Sequence, residues 1–176
     1  MIRATTARLI LRDITPTDAP FILELLNDPG FIKYIGDRGV RTLEDAEKYI
    51  TEKIIGQYVS KGYGMYLVAT RKEQSDETEI IGQCGLVKRE GLDNTDLGFA
   101  YLERYCGMGY GYESSVAVLG LAKEAFGLSQ LAAITGQDNI ASQKLLTKLG
   151  MKHLDTIHLP NIADPCMYYE MDLDVI

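Results

Sequence analysis

Three glycines at alternate positions interrupt the run Tyr105-Cys106-Gly107-Met108-Gly109-Tyr110-Gly111-Tyr112-Glu113. Glycine's freedom at positive φ lets such a run turn several main-chain N–H groups into one concavity, and a helix opening at its end adds partial positive charge. The chemistry on offer is anion binding by backbone donors. A tight strand-to-helix turn without a ligand would use the same residues. Two familiar phosphate loops do not fit. A P-loop needs Gly-Lys-Ser or Gly-Lys-Thr, which does not follow here. The dinucleotide fingerprint G-x-G-x-x-G opens a first strand-helix-strand unit, whereas Gly107, Gly109 and Gly111 lie in mid-chain with different spacing. Farther on, Asn139 and Ser142 offer an amide and a hydroxyl three residues apart, suited either to capping a helix or to touching a ligand. Cys106 precedes a helix start, where a thiol can be acidified into a nucleophile, but no His-Asp pair stands near it in sequence.

The remaining composition narrows the partners. With 18 basic against 25 acidic residues in 176, the formal charge is −7, so the basic footprint of a nucleic-acid binder is missing. An acidic field attracts cations such as amines, and an anionic ligand would need a local device such as the glycine run. Cys84, Cys106 and Cys166 are odd in number, far apart and without a C-x-x-C pair, which suits a reducing compartment rather than a disulfide framework. Only His153 and His158 could join a metal site and no H-E-x-x-H run exists, so no metal is expected. The short apolar run near Met1 is no signal-peptide core and no stretch is apolar enough to span a bilayer, so the expected address is cytoplasmic, without membrane contact.

The elements that must position these groups can be read from periodicity. Residues 8–14 predict an opening strand, and Thr15-Pro16-Thr17-Asp18 a helix start. That helix carries Phe21, Ile22, Leu25 and Leu26 on one stripe, and Asn27-Asp28-Pro29-Gly30 should stop it. Thr42 with Asp45 resembles a capping box for a second helix bearing Leu43, Ala46, Ile50 and Ile54 and reaching about Gly62. Residues 65–70, 80–87 and 95–102 read as strands, and their short polar connections, 71–79 and 88–94, make them antiparallel neighbours in a meander. A helix over about 113–126, a short strand over 131–135 and a helix over 139–149 closed by Gly150 come next. Two more strands follow, 152–159 and one in which Met167, Tyr169, Met171, Leu173 and Val175 alternate. The whole chain, 1–176, reads as one α+β domain with a mostly antiparallel sheet flanked by helices.

Three segments carry a family likeness. Asp96-Leu97-Gly98-Phe99-Ala100-Tyr101-Leu102 followed by Cys106-Gly107-Met108-Gly109-Tyr110-Gly111 resembles the acetyl-CoA signature Q/R-x-x-G-x-G/A of the GNAT superfamily of N-acetyltransferases. Asn139-Ile140-Ala141-Ser142 with Lys148-Leu149-Gly150-Met151 is similar to that family's N-x-x-S and K-x-G-F helix. Thr6-Ala7-Arg8-Leu9-Ile10-Leu11-Arg12 is similar to the opening of its RimJ/RimL-like, ribosomal-protein branch. Cys106 stands where the family has glutamine or arginine.

The resemblance implies a mixed sheet whose central parallel strands, 95–102 and 131–135, splay apart. It implies acetyl-CoA as co-substrate, with Cys106, Gly107, Met108, Gly109, Tyr110, Gly111 and Tyr112 around the pyrophosphate and Phe99, Ala100 and Tyr101 along the pantetheine arm. Asn139 would hydrogen-bond the pantetheine, and Ser142 or a nearby tyrosine would protonate the leaving thiolate. The acceptor would be a primary amine, either a protein N-terminal α-amine or a small amine, attacking without an acyl-enzyme. Relatives in the RimL-like branch place a carboxylate between the last two strands; no glutamate aligns there, and His158 and Asp164 are the nearest candidates for a base. The segment 31–40 resembles the variable region that shapes the acceptor site. A catalytically silent acyl-CoA-binding module of the same fold is the alternative reading. A monomer or a homodimer is expected.

Overall fold

β-Branched and aromatic residues in short runs build the sheet, and its strand order decides where a site can form. The computed structural model describes residues 1–71 and 78–175. Eight strands lie in the order β1 (Ile2–Thr5), β2 (Leu9–Asp13), β3 (Met65–Thr70), β4 (Ile80–Val87), β5 (Thr95–Tyr101), β6 (Gln130–Gly136), β8 (Cys166–Asp172) and β7 (Lys152–Ile157). Every neighbouring pair is antiparallel except β5 with β6, so the expected meander and the expected parallel centre are both present.

Alternation then assigns the two faces. On one, Leu9, Leu11, Tyr66, Val68, Leu86 and Leu97 pack under α5 (Tyr110–Glu124) and α6 (Ile140–Lys148), which contribute Val118, Leu119 and Leu146. On the other, Leu67, Ala69, Ala100 and Leu102 meet Ile22, Leu25 and Leu26 of α1 (Ala19–Leu26) and Ala46 of α3 (Leu43–Tyr49). Burying each such aliphatic side chain is worth about 1.5–3 kcal/mol, so both layers of helices contribute to holding the sheet between them. The chain between β7 and β8 covers the same side as α1, through Leu159 packed with Leu92 and Ala132.

Four expectations change. The opening strand is β1, ahead of the segment 8–14; it has no apolar alternation and is pinned instead by Arg3, whose Nε lies 2.6 Å from Asp13 Oδ1. Pro29 does not end the helical region. Asp28 accepts the Gly30 N–H at 2.9 Å and caps a further helix, α2 (Pro29–Tyr34), in which the proline is a first-turn residue. The helix after Thr42 is interrupted: Ile50–Ile55 is a π segment between α3 and α4 (Gly56–Lys61), and it keeps Ile50 and Ile54 both buried. β8 stops at Asp172, whose Oδ1 accepts the Asp174 N–H at 2.8 Å and starts a tight turn, so Val175 is 79% exposed despite fitting the alternation. Most of the connection expected over 71–79 lies outside the described residues.

Candidate active site

The parallel pair at the sheet's centre is joined only at its base. β5 and β6 register through Thr95 with Leu131 and Asp96 with Ala132, and beyond that the strands separate, leaving the β6-facing edge of Leu97–Tyr101 without a strand partner. Phe99, Ala100 and Tyr101 therefore line a fork, as expected. Asp96 closes its base. Its buried carboxylate accepts the Ile134 N–H at 3.2 Å and holds Arg89 Nε at 2.5 Å. Burial pushes the Asp96 carboxyl up, against the pull of Arg89 and the Ile134 amide.

The glycine run sits at the open end of the fork, between β5 and α5. Gly107 and Gly109 have φ of 79° and 82°, a region that side-chain-bearing residues rarely occupy, and Gly109 caps α5. Gly111 serves a different purpose: a Cβ there would lie 2.8 Å from Leu145 Cδ1 of α6, which would have to turn aside. The first α5 amide with a partner is that of Glu113, bonded to the Gly109 carbonyl at 3.1 Å. Among the described residues the N–H groups of Gly107, Met108, Gly109, Tyr110, Gly111 and Tyr112 make no hydrogen bond. Six consecutive donors are thus left without a partner, the last three of them at the N-terminus of α5, a run suited to a diphosphate.

Two residues far from the run, Thr6 and Arg8, hold it in shape through Glu113 at its end. Glu113 Oε1 accepts from the Thr6 hydroxyl at 2.6 Å and the Arg8 N–H at 2.9 Å, while Arg8 Nε lies 2.7 Å from Glu113 Oε2. Arg8 also donates to the Met108 carbonyl at 3.1 Å and stacks 4.7 Å from the Tyr110 ring. Burial pushes the Glu113 carboxyl up, but these hydrogen bonds outweigh it and leave the group below the usual carboxylate range. The hold of the Thr6-x-Arg8 opening on the loop, 105 residues away, has no local signature in the sequence.

Other candidates divide. Asn139 is the cap of α6, with Oδ1 accepting the Ser142 N–H at 3.1 Å, so the capping role is real, and its Nδ2 is left for another partner. Ser142 is 9% exposed in the first turn of α6, and among the described residues its hydroxyl is not hydrogen-bonded. Tyr101 is engaged elsewhere: its hydroxyl is 2.5 Å from Ser114 Oγ, and burial keeps the phenol protonated by raising its pKa well above the usual value. Cys106 is not acidified. Partial burial, reinforced by Asp28 and Glu103, pushes its thiol up. His158 is exposed on the chain between β7 and β8, the segment packed over the α1 side of β6, and Asp164 is exposed on the same segment. Neither makes a side-chain bond to the fork among the described residues.

With this geometry in place, known proteins can be compared. The family "Acetyltransferase (GNAT) domain" matches residues 8–152. The chain belongs to the GNAT acetyltransferases. Among relatives of this GNAT enzyme, the uncharacterized N-acetyltransferase YnaD of Bacillus subtilis (strain 168) is 29% identical over 148 residues, covering 84% of this chain and 81% of that one. The uncharacterized protein YkkB of the same organism is 29% identical over 173 residues, 96% of this chain and 94% of its own. The structure of RimL, a ribosomal L7/L12 alpha-N-protein acetyltransferase in complex with coenzyme A, superposes with a TM-score of 0.82 at 17% identity over 100% of both chains. The GNAT fold therefore extends over the whole acetyltransferase chain. No helix among the described residues is long and apolar enough to cross a membrane.

Proposed function

We propose that this enzyme transfers the acetyl group of acetyl-CoA directly to a primary amine, either a protein N-terminal α-amine, as in the RimJ/RimL-like branch, or a small amine. The observation that carries the reading is the fork of β5 and β6 opening directly above six unpaired main-chain N–H groups. Those donors suit a pyrophosphate, and the free edge of Phe99, Ala100 and Tyr101 suits an extended arm whose thioester carbonyl a strand N–H can polarise. Cys106 supplies no side-chain contact to phosphate, so backbone donors carry that task.

Transfer then requires a neutral amine. An α-amine, with a pKa of about 7.7–8.0, surrenders its proton far more readily than a lysine at about 10.4, which favours the N-terminal acceptor near neutral pH. The amine nitrogen forms a bond to the acetyl carbon as the carbon–sulfur bond breaks; the proton the nitrogen sheds passes to His158, to Asp164 or to water, and the thiolate takes a proton from the Ser142 hydroxyl as that hydroxyl regains one from water. Asn139, its Oδ1 occupied by the helix cap, offers Nδ2 to a pantetheine carbonyl. The net charge of −7 concentrates cationic acceptors near the site and suits a cytoplasmic protein binding neither nucleic acid nor membrane.

Thermal denaturation with acetyl-CoA tests the coenzyme half: at 100-fold over Kd, a ligand of the folded state alone adds about 2.7 kcal/mol. Release of free coenzyme A in single turnover across an amine panel tests the other half. Stabilisation without release with any amine would favour the silent binding module instead. Replacing Ser142 by alanine should slow turnover about tenfold or more with acetyl-CoA affinity unchanged, the range expected for loss of a general acid from a thiolate leaving group. Unchanged turnover would remove Ser142 from the chemistry.

A further inference from the structure

The fork has no cause in the outer pairing of its strands. β5 keeps one register with β4 from Asp96 to Tyr101, and β6 keeps one register with β8 from Gln130 to Gly136. Neither register shifts, so the divergence after Asp96 and Ala132 is not the by-product of a bulge in either strand. A side chain stands at the point of divergence. Asp96 Oδ1 accepts the Ile134 N–H at 3.2 Å, and Oδ2 is fixed by Arg89 Nε at 2.5 Å. Asp96 is 1% exposed, which makes this a placed carboxylate rather than a surface one.

In an uninterrupted parallel ladder the Ile134 N–H, which points toward β5, would be accepted by a β5 carbonyl. We infer that Asp96 takes the place of that carbonyl and thereby holds the fork open, leaving a β5 main-chain acceptor free for the amide N–H groups of the pantetheine arm. The inference rests on the coenzyme reading above. Asp96 is a positioning residue in this account: it touches neither thioester nor amine and acts through the spacing of two strands. Arg89 completes the device, since an unpaired carboxylate buried at the base of a sheet would be costly, and a guanidinium fixed on Oδ2 leaves Oδ1 aimed at Ile134.

The test separates the arm of the coenzyme from its head. Affinities for coenzyme A and for its phosphoadenosine diphosphate head, which lacks the arm, are measured on the wild type and on Asp96→Ala and Asp96→Asn. Asp96→Ala should weaken coenzyme A binding about tenfold, the scale of one lost hydrogen bond to a charged group, with affinity for the head unchanged. Asp96→Asn keeps an acceptor for Ile134 and should recover most of the loss. A general structural role would weaken both ligands together, and that result, or an Asp96→Ala variant with wild-type preference for coenzyme A, overturns the inference. Should Asp96→Ala not fold, hydrogen exchange in the wild type decides. The Ile134 amide should be protected in the free protein and unaffected by coenzyme A; rapid exchange in the free protein that slows on binding overturns the inference. Failure of the wild type to bind either ligand would refute the coenzyme reading itself, a different outcome from all of these.

Discussion

Substituting Gly82 by alanine is expected to destabilise the protein by about 3 kcal/mol, the scale of forced overpacking in a close-packed interior, and to weaken coenzyme binding as well. A Cβ at this β4 position would lie 2.4 Å from Tyr101 Cδ1 and 2.5 Å from the Ala100 carbonyl oxygen. Both must give way: the β4–β5 ladder has to open at the carbonyl, and the ring has to swing aside. Tyr101 would then lose its hydroxyl contact with Ser114, which also donates to the Gly111 carbonyl at 3.2 Å and so ties the end of β5 to the first turn of α5. Strand end and anion loop would shift together. The measurement is a denaturant midpoint at unchanged slope, paired with an acetyl-CoA titration. Gly120→Ala is the control: nothing lies within 4 Å of a Cβ there, in the middle of α5, and the change should stabilise by up to about 1 kcal/mol. Equal stability of the two variants would show that Tyr101 does not depend on the space at Gly82.

Removing Glu113 should have the second largest effect, and on binding more than on folding. Its carboxylate gathers the Thr6 hydroxyl, the Arg8 N–H and the Arg8 guanidinium, and Arg8 in turn holds the Met108 carbonyl. Glu113→Ala leaves those donors without their acceptor, at about 2 kcal/mol of stability; the half-exposed Arg8 side chain contributes the smaller share. Because the loop's six donors must converge, the loss of coenzyme affinity should reach about tenfold or more. The pH dependence has a definite sign. A carboxyl held below its usual range in the folded state stabilises fully above the unfolded pKa of about 4.3, and this is lost as pH falls through the lower folded value. The stability gap between wild type and Glu113→Gln should thus be flat from neutral pH to about 5 and close only in stronger acid. A gap that closes near neutrality would contradict the assignment.

Much of this architecture is legible from local pattern. The meander of β3, β4 and β5 follows from apolar runs separated by short polar connections, and the glycine run between strand and helix reads as an anion cradle because glycine takes positive φ without penalty. What escaped is non-local. β1 has no alternation, and its place is set by antiparallel pairing with β2, to which the Arg3–Asp13 pair adds. The insertion of β8 between β6 and β7 follows from long-range pairing that no turn residue announces. Pro29 was misread because the same residue can stop one helix and start another, and the Asp28 cap decides which. Within the site, Thr6, Arg8 and Glu113 meet across more than a hundred residues, and Asp96, quoted for its place in a motif, gains its role only from the amide of Ile134 on a different strand.

The central claim is that the main-chain amides of Gly107–Tyr112 receive the coenzyme's diphosphate while its arm enters the fork above them. Amide resonances followed during titration with coenzyme A test it most directly. The account predicts that the largest shifts fall on Gly107 to Tyr112, followed by Phe99 to Tyr101, with all saturating at one ligand concentration. Saturable binding that leaves the Gly107–Tyr112 amides unmoved would contradict it.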